Sequence, residues 1–359
     1  MKNDKCIVCS LDTITFCEYM YRNKESSFRQ VYPDNKLYEC TNCGMIQANH
    51  SNIITEKLDF YYKNIYNTIK VKLSSIKKPF WKWKGRGIVF CWMINEYIKD
   101  SEQPLDIYEL GSGYGLNLTE MKVAFPNAKI YKDHHDSDNY NEGIYKSTLN
   151  EGKYDIIILS HVLEHLVDPA KWIREICSSL RKRGYLIIEV PNDNRTFMNR
   201  KFRKDNNRWD EPHISFFNSQ SLQRLFQQFS EDLIIRDLYT SGDIYNDRYG
   251  QNKKALEKNP PSILELIKRP IKKLPFSSNI IRYIFSLRRM IKSFMVSDNL
   301  SEKSNESVKA HISEESAYPI DPLISWFTNY LKSISRKIEC NEDPAKEGSL
   351  LRIILEKNV

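Results

Sequence analysis

The sequence predicts an α/β protein: a doubly wound, mostly parallel sheet, a small module before it, and a helical insertion near its end. Three observations carry this. Apolar runs of strand length alternate with amphipathic helical stretches through the middle of the chain. A glycine-rich bend directly follows the first of those runs. Two C-x-x-C pairs stand near the N-terminus.

The 359 residues are 41% hydrophobic and 28% charged, ordinary for a globular chain. Domains of ~100–200 residues give two to three of them here. The net charge of +8 is concentrated in residues 252–293, where eleven Lys/Arg meet two Glu, so the remainder is near neutral. That pattern argues for one local anionic contact and against nucleic acid as a partner. The N-terminus, MKNDKCIVCS, has no apolar signal-peptide core, and the apolar run Ile88 to Ile94 is too short to span a bilayer. A cytoplasmic location is expected.

Cys6-Ile-Val-Cys9-Ser and Cys40-Thr-Asn-Cys43-Gly lie thirty residues apart. Four thiolates on two tight turns suit a closed, tetrahedral, structural Zn²⁺ site. Ser10 and Gly44, each small, allow a knuckle in which backbone N–H groups face sulfur. A hairpin over Ser27 to Leu37 would fill the gap between the pairs. The alternatives are a redox pair or packing thiols; Cys17, Cys91, Cys177 and Cys340 read as packing.

Residues 55–75 and 86–99 read as helices, the second with Ile88, Val89, Trp92, Met93 and Tyr97 on one face. "LDIYELGSGYGLNL" (105–118) then runs from a strand into Gly111, Gly113 and Gly115. Glycines there let the backbone turn sharply and let a ligand touch it. Glu109 suits a ligand with a cationic ammonium or sulfonium group better than a pyrophosphate. Asp133 ends the next strand and can hold ribose hydroxyls, with Asp136 and Asp138 as rivals. The third strand, around Ile144–Lys146, is short. "KYDIIILS" (153–160), ending at Ser160, is a strand buried on both faces. Asp168 and Pro169 start a helix; Arg181, Lys182 and Arg183 suit its last turn and Gly184 its stop. "YLIIEV" (185–190) is a further buried strand.

Between strand and helix stands His161-Val-Leu-Glu164-His165, an H-x-x-E-H pattern that on a long helix would hold a catalytic zinc. Pro169 starts a new helix too soon for that, and no third ligand stands at a recognisable spacing, so the metallohydrolase reading is set aside.

These residues resemble the class I S-adenosylmethionine-dependent methyltransferases of the type carrying V-L-E-H-L-x-D-P, here Val162 to Pro169. The E-x-G-x-G-x-G loop, "YLIIEVPN" and "HISFFNSQSLQRLF" (213–226) support it, over roughly 101–240. The paired C-x-x-C module resembles the zinc-binding N-terminus of sugar C-methyltransferases and related polysaccharide-locus enzymes. The resemblance implies a seven-stranded Rossmann-like sheet whose last, antiparallel strand is "LLRIILEK" (350–357). It implies S-adenosyl-L-methionine as cofactor, held by Glu109, Gly111, Gly113, Gly115, Asp133, Ser160 and His161. It implies His213 as a candidate base, with His165 and Glu164 shaping the cofactor floor. The glutamate before His213 is displaced by one residue from the family's Y-x-E-H and the tyrosine is absent, which argues against C-methylation in particular.

The implied layout is a zinc-ribbon-like module (1–52), a helical connector or lid (53–100), the methyltransferase core (101–245), a basic helical insertion with linker (246–345) and the final core strand (346–359). Within the insertion, 280–296 is an amphipathic helix, read as a cap on the sheet or as a peripheral contact with the inner membrane face near a lipid-linked substrate. Residues 297–316 read as a linker, and a helix is expected from Asp321 to about Lys337. The expected reaction is methyl transfer to a sugar nucleotide or surface-glycan precursor. The rivals are methylation of a quinone or other small lipophilic molecule, a non-catalytic binding module, and a zinc hydrolase.

Overall fold

A computed structural model describes residues 5–18, 28–34, 36–66, 86–98, 104–113, 115–133, 143–194, 198, 212–244, 337–341 and 346–359. Asp136, Asp138, residues 67–75, the helix at 280–296, the linker at 297–316 and all but Lys337 of the helix from Asp321 lie outside them.

The first sheet is small. Strands β1 (Thr13–Glu18), β2 (Lys36–Cys40) and β3 (Ile46–Ala48) pair antiparallel in that order. Between β1 and β2 the expected hairpin at Ser27 to Leu37 is instead a short helix, α1 (Phe28–Val31). Phe28, Val31 and Tyr32 recur at helical spacing and are all fully buried. The hairpin itself is formed by the longer strands β1 and β2, in a register that joins Thr13 to Cys40.

The connector begins with α2 (Thr55–Phe60), which widens into a π-helical turn over Tyr61–Tyr66. Next come α3 (Arg86–Tyr97), β4 (Asp106–Leu110), α4 (Leu116–Ala124), β5 (Lys129–Asp133), β6 (Ile144–Ser147) and β7 (Tyr154–Ser160). Ile88, Val89 and Met93 of α3 are buried, as their spacing predicts. Then follow α5 (Pro169–Ser179), β8 (Leu180–Pro191), β9 (Ser215–Phe216), α6 (Ser219–Gln227), β10 (Leu233–Ile244), β11 (Ile338–Glu339) and β12 (Gly348–Lys357).

The large sheet has the order β11-β10-β12-β8-β7-β4-β5-β6. Strands β4 to β8 run parallel to one another. β12 lies antiparallel between β8 and β10, matching the expected final strand. Among the described residues the sheet has eight strands, one more than the seven expected. The extra one, β11, adds only the pairings Tyr239↔Glu339 and Thr240↔Ile338 at the edge. The central strands are apolar because both faces are covered: Ile156, Ile157, Ile158 and Leu159 are all fully buried.

The helix boundaries follow from local chemistry. Asp168 caps α5 by accepting from the Lys171 N–H at 2.9 Å, with Pro169 in the first turn. Asn218 and Ser221 form a reciprocal cap on α6. Gly184 does not stop α5. That helix ends at Ser179, and Leu180 already pairs with Tyr154 in β7 before an irregularity resets the register to Ile156↔Tyr185. The left-handed residue is Arg183, at φ 59. Gly184 is needed for close approach: a Cβ there would lie 2.9 Å from the carbonyl oxygens of Arg181 and Asp155.

The N-terminal module is stitched to the core. β3 takes β9 as its outer neighbour, pairing Ile46↔Phe216 and Gln47↔Ser215. Cys6, Val8, Cys43 and Met45 share one apolar cluster with Leu222, Leu225 and Phe226 of α6. His50 donates from Nδ1 to the Val167 carbonyl at 2.8 Å, and its Nε2 lies 3.3 Å from the Ser215 hydroxyl.

Candidate active site and cysteine centre

All five parallel strands deliver their carboxyl ends to one edge of the sheet, the edge where ligands bind in open α/β folds. Along β4, Glu109 is buried and Leu110 leads into the bend. Gly111, Gly113 and Gly115 sit at φ 65, 62 and 71, a region that glycine enters without a Cβ penalty. A Cβ on Gly111 would approach Val162 Cγ2 to 2.9 Å. Gly115 is the N-cap of α4. Asn117, on the first turn of α4, donates to Glu109 Oε1 at 2.6 Å, fixing the carboxylate under the bend.

One strand over, Asp133 ends β5, half-buried, and its Oδ2 accepts from the Tyr108 hydroxyl at 3.2 Å. On the other side of β4, Ser160 ends β7 and His161 follows at φ 56. The left-handed turn lets the His161 N–H donate to the Glu189 carbonyl at 2.9 Å. His161 Nδ1 lies 3.1 Å from Glu164 Oε1 and its Nε2 lies 3.4 Å from Glu189 Oε1. Burial, the largest influence, and the Arg86 charge both oppose protonation of His161, yet the hydrogen bond to Glu164 and the nearby Glu189 carboxylate raise it above the ordinary histidine range.

Glu189 is the hub beneath this edge. It is fully buried, as is Arg352 on the neighbouring β12, directly opposite it in register. Arg352 donates to Glu189 Oε2 from Nε at 2.7 Å and from Nη2 at 2.5 Å, while Arg86 Nε stands 3.3 Å from Oε1. Burial pushes the Glu189 carboxyl up, but Arg352, His161 and Arg86 together hold it well below the usual carboxylate range. Sequence reasoning missed these residues. The available signal was a lone glutamate inside "YLIIEV" and a lone arginine inside "LLRIILEK": opposite charges in two strands otherwise apolar.

The V-L-E-H-L segment forms a single 3₁₀ turn, Leu163–His165, not a long helix. Its backbone receives the next loop, with the Ile214 N–H donating to the Glu164 carbonyl at 3.0 Å. His165 Nδ1 donates to the Pro212 carbonyl at 3.3 Å, and the His165 and His213 rings meet edge-on with centroids 4.8 Å apart. The structure thus brings His165 and His213 together, and places Glu109, the three glycines, Asp133, Ser160 and His161 along one edge.

The four N-terminal cysteines converge. Cys6 and Cys43 sulfurs lie 3.6 Å apart, Cys9 and Cys40 3.4 Å, and Cys9 and Cys43 3.9 Å. Around a tetrahedral ion with Zn–S bonds of ~2.3 Å, sulfurs stand ~3.8 Å apart, so the residues fit. Ser10 and Gly44, following the second cysteine of each pair, adopt φ 57 and 64. The Val8 N–H points at Cys6 Sγ, 3.4 Å away, as the knuckle reading expects. Cys91 and Cys177 are buried in packing positions, and Cys17 and Cys340 are partly so.

With this geometry in place, the comparison with known families is direct: residues 89–230 match the family model described as a methyltransferase domain. The match spans about two fifths of the chain. It contains β4 to β8, the glycine bend, the 3₁₀ turn and α6. No curated protein sequence matches the chain. Among solved structures, the chain is similar to the plantazolicin methyltransferase BpumL in complex with a monoazolic desmethylPZN analog and SAH. The identity is 12% over 84% of this chain and 94% of that one, with a TM-score of 0.44. It is also similar to coclaurine N-methyltransferase bound to N-methylheliamine and SAH, at 12% identity over 76% and 72% of the two chains and a TM-score of 0.37. Likenesses at that level carry no argument about substrate. No helix among the described residues is long and apolar enough to cross a membrane.

Proposed function

We propose that the protein transfers a methyl group from S-adenosyl-L-methionine to a sugar nucleotide or surface-glycan precursor, with a structural zinc at Cys6, Cys9, Cys40 and Cys43. The observation that carries the reading is the convergence of the three-glycine bend with Asp133 one strand over, at the carboxyl edge of a domain of the methyltransferase family.

The cofactor supplies a methyl on a positively charged sulfur, a strong electrophile. The chain's own residues do the rest. The bend lets backbone at Gly111, Gly113 and Gly115 approach the ligand, and the Asp133 carboxylate suits ribose hydroxyls. Glu109 puts negative charge beneath the bend, and Ser160 and His161 line the end of β7. Acceptor activation falls to the His213–His165 pair, with His213 taking the proton from an acceptor hydroxyl. The sugar substrate rests on the resemblance of the cysteine module and its attachment, through β3 and β9, to the segment bearing His213.

Isothermal titration with S-adenosylhomocysteine tests the cofactor site, and no detectable binding would turn the reading into that of a non-catalytic module. Incubation with labelled cofactor and pooled nucleotide sugars, read by mass spectrometry, tests the acceptor. Label appearing only in a lipophilic acceptor such as a quinone would refute the sugar assignment.

A further inference from the structure

We propose that Glu164, His165 and His213 form a second metal site, distinct from the cysteine centre, for a divalent transition-metal ion such as Zn²⁺ or Mn²⁺.

The three side chains come from two loops and meet at one point: one ligand atom from each lies within 4.8 Å of the others. Donors around a tetrahedral ion at ~2.1 Å stand ~3.4 Å apart, so ordinary side-chain adjustment closes the set. Two imidazoles and a carboxylate are the donors borderline transition metals prefer.

The surroundings are those of ligands. Metal-bound histidines donate their other ring N–H to a backbone carbonyl or carboxylate. His165 does this through Nδ1 to Pro212, leaving Nε2 on the Glu164 side, 4.0 Å from Oε1. Ligating carboxylates are themselves hydrogen-bonded. Glu164 Oε1 accepts from His161, while the buried Oε2 has no hydrogen-bond partner among the described residues. Glu164 is 1% exposed, so that oxygen is withdrawn from water without compensation unless a cation meets it. The cluster therefore presents an under-coordinated carboxylate beside two imidazoles.

Three protein ligands leave a position for an outside oxygen. If methyl transfer is the reaction, an acceptor hydroxyl on the ion would lose its proton to solvent more readily, and His213 would activate the acceptor by holding the ion in the metal-loaded protein and by taking the proton itself in the metal-free one. That consequence rests on the proposed methyl transfer; the loss of one metal equivalent on substitution does not.

The test is metal content of the full chain after equilibrium dialysis against Zn²⁺, with no cofactor or acceptor present. The wild type is expected to hold about two equivalents, and H213Q and H165Q about one each, retained by the cysteines. Mn²⁺, a poor match for four thiolates, should bind wild type loaded with a single equivalent of zinc, held by the cysteines, as a new paramagnetic resonance signal that E164Q abolishes. Far-UV circular dichroism shows each variant folded, and any two of the three suffice. A wild type that saturates at one zinc and gives no bound Mn²⁺ signal overturns the proposal. So do folded H213Q and H165Q proteins that keep two.

Discussion

Replacing Arg352 by methionine removes the main partner of a carboxylate with no access to water. Glu189 and Arg352 are both fully buried, and the two N–H groups of Arg352 reach the same oxygen at 2.7 and 2.5 Å. Breaking such a pair from one side costs about 3–5 kcal/mol, because the remaining charge is left uncompensated. Here Arg86 and His161 stay within 3.3 and 3.4 Å of the other oxygen, which places R352M near the low end, about 3 kcal/mol. With urea slopes of roughly 1–3 kcal/mol per M, the midpoint falls by about 1–3 M. The double variant E189M/R352M removes both charges and should recover to within about 1 kcal/mol of wild type. The pH dependence has a definite sign. The Glu189 carboxyl is depressed in the fold, so its contribution is present above the ordinary carboxylate range and is lost as pH falls through the lower folded value. His161, raised above the ordinary histidine range, is with Arg86 the remaining partner of Glu189, so the R352M deficit should grow as pH rises through that raised value and the imidazolium is lost. Urea unfolding followed by tryptophan fluorescence measures all three. A single variant within 1 kcal/mol of wild type, or a double variant less stable than the single, refutes the reasoning.

Three further outcomes follow from the same geometry. G111A forces a side chain into the left-handed region at a cost of roughly 1–2 kcal/mol and against Val162, so S-adenosylhomocysteine affinity by calorimetry should drop about tenfold or more. Glu120 is buried beneath the α3 N-terminus, accepting from the Ile88 N–H at 3.1 Å, and burial pushes its carboxyl up to about 7. A carboxyl raised in the fold destabilises as pH climbs from its unfolded value through 7, so E120Q should gain on the order of 3 kcal/mol over wild type at pH 8 and little at pH 4. C43S should release the zinc and, because β3 follows that knuckle and pairs with β9, speed amide exchange at Gln47 and Phe216 while leaving β7 protected.

What was legible in the sequence was local. The strands β4, β7 and β8, the cap of α5 and the glycine bend each announce themselves within a dozen residues, since period, capping and left-handed φ are short-range demands. The paired cysteines are legible across thirty residues only because sulfur spacing is so restrictive. Pairing partners were not legible. Nothing in "SF" at 215–216 says that it adds to the sheet of the cysteine module, and nothing in His50 says that it ties Val167 to Ser215. Gly184 was misread because a helix stop and a close backbone approach demand the same residue. Only the pairing of Leu180 with Tyr154 tells them apart.

H-x-x-E-H shows how the two levels interact. Read as a helix, the spacing puts His161 and His165 on one face with Glu164 beside them. The chain cannot make that helix, because His161 takes φ 56 and its side chain goes to Glu189 on β8. One 3₁₀ turn later, His165 points the other way, toward His213. Glu164 sits between and faces both, with one oxygen on His161. The motif is thereby divided into a half that faces the carboxyl edge of the sheet and a half that meets a histidine far along the chain. A third ligand at recognisable spacing is absent from the sequence for that reason: once the helix is broken, the residue that completes the set is chosen by the docking of the 212–216 loop on the Glu164 carbonyl, not by periodicity.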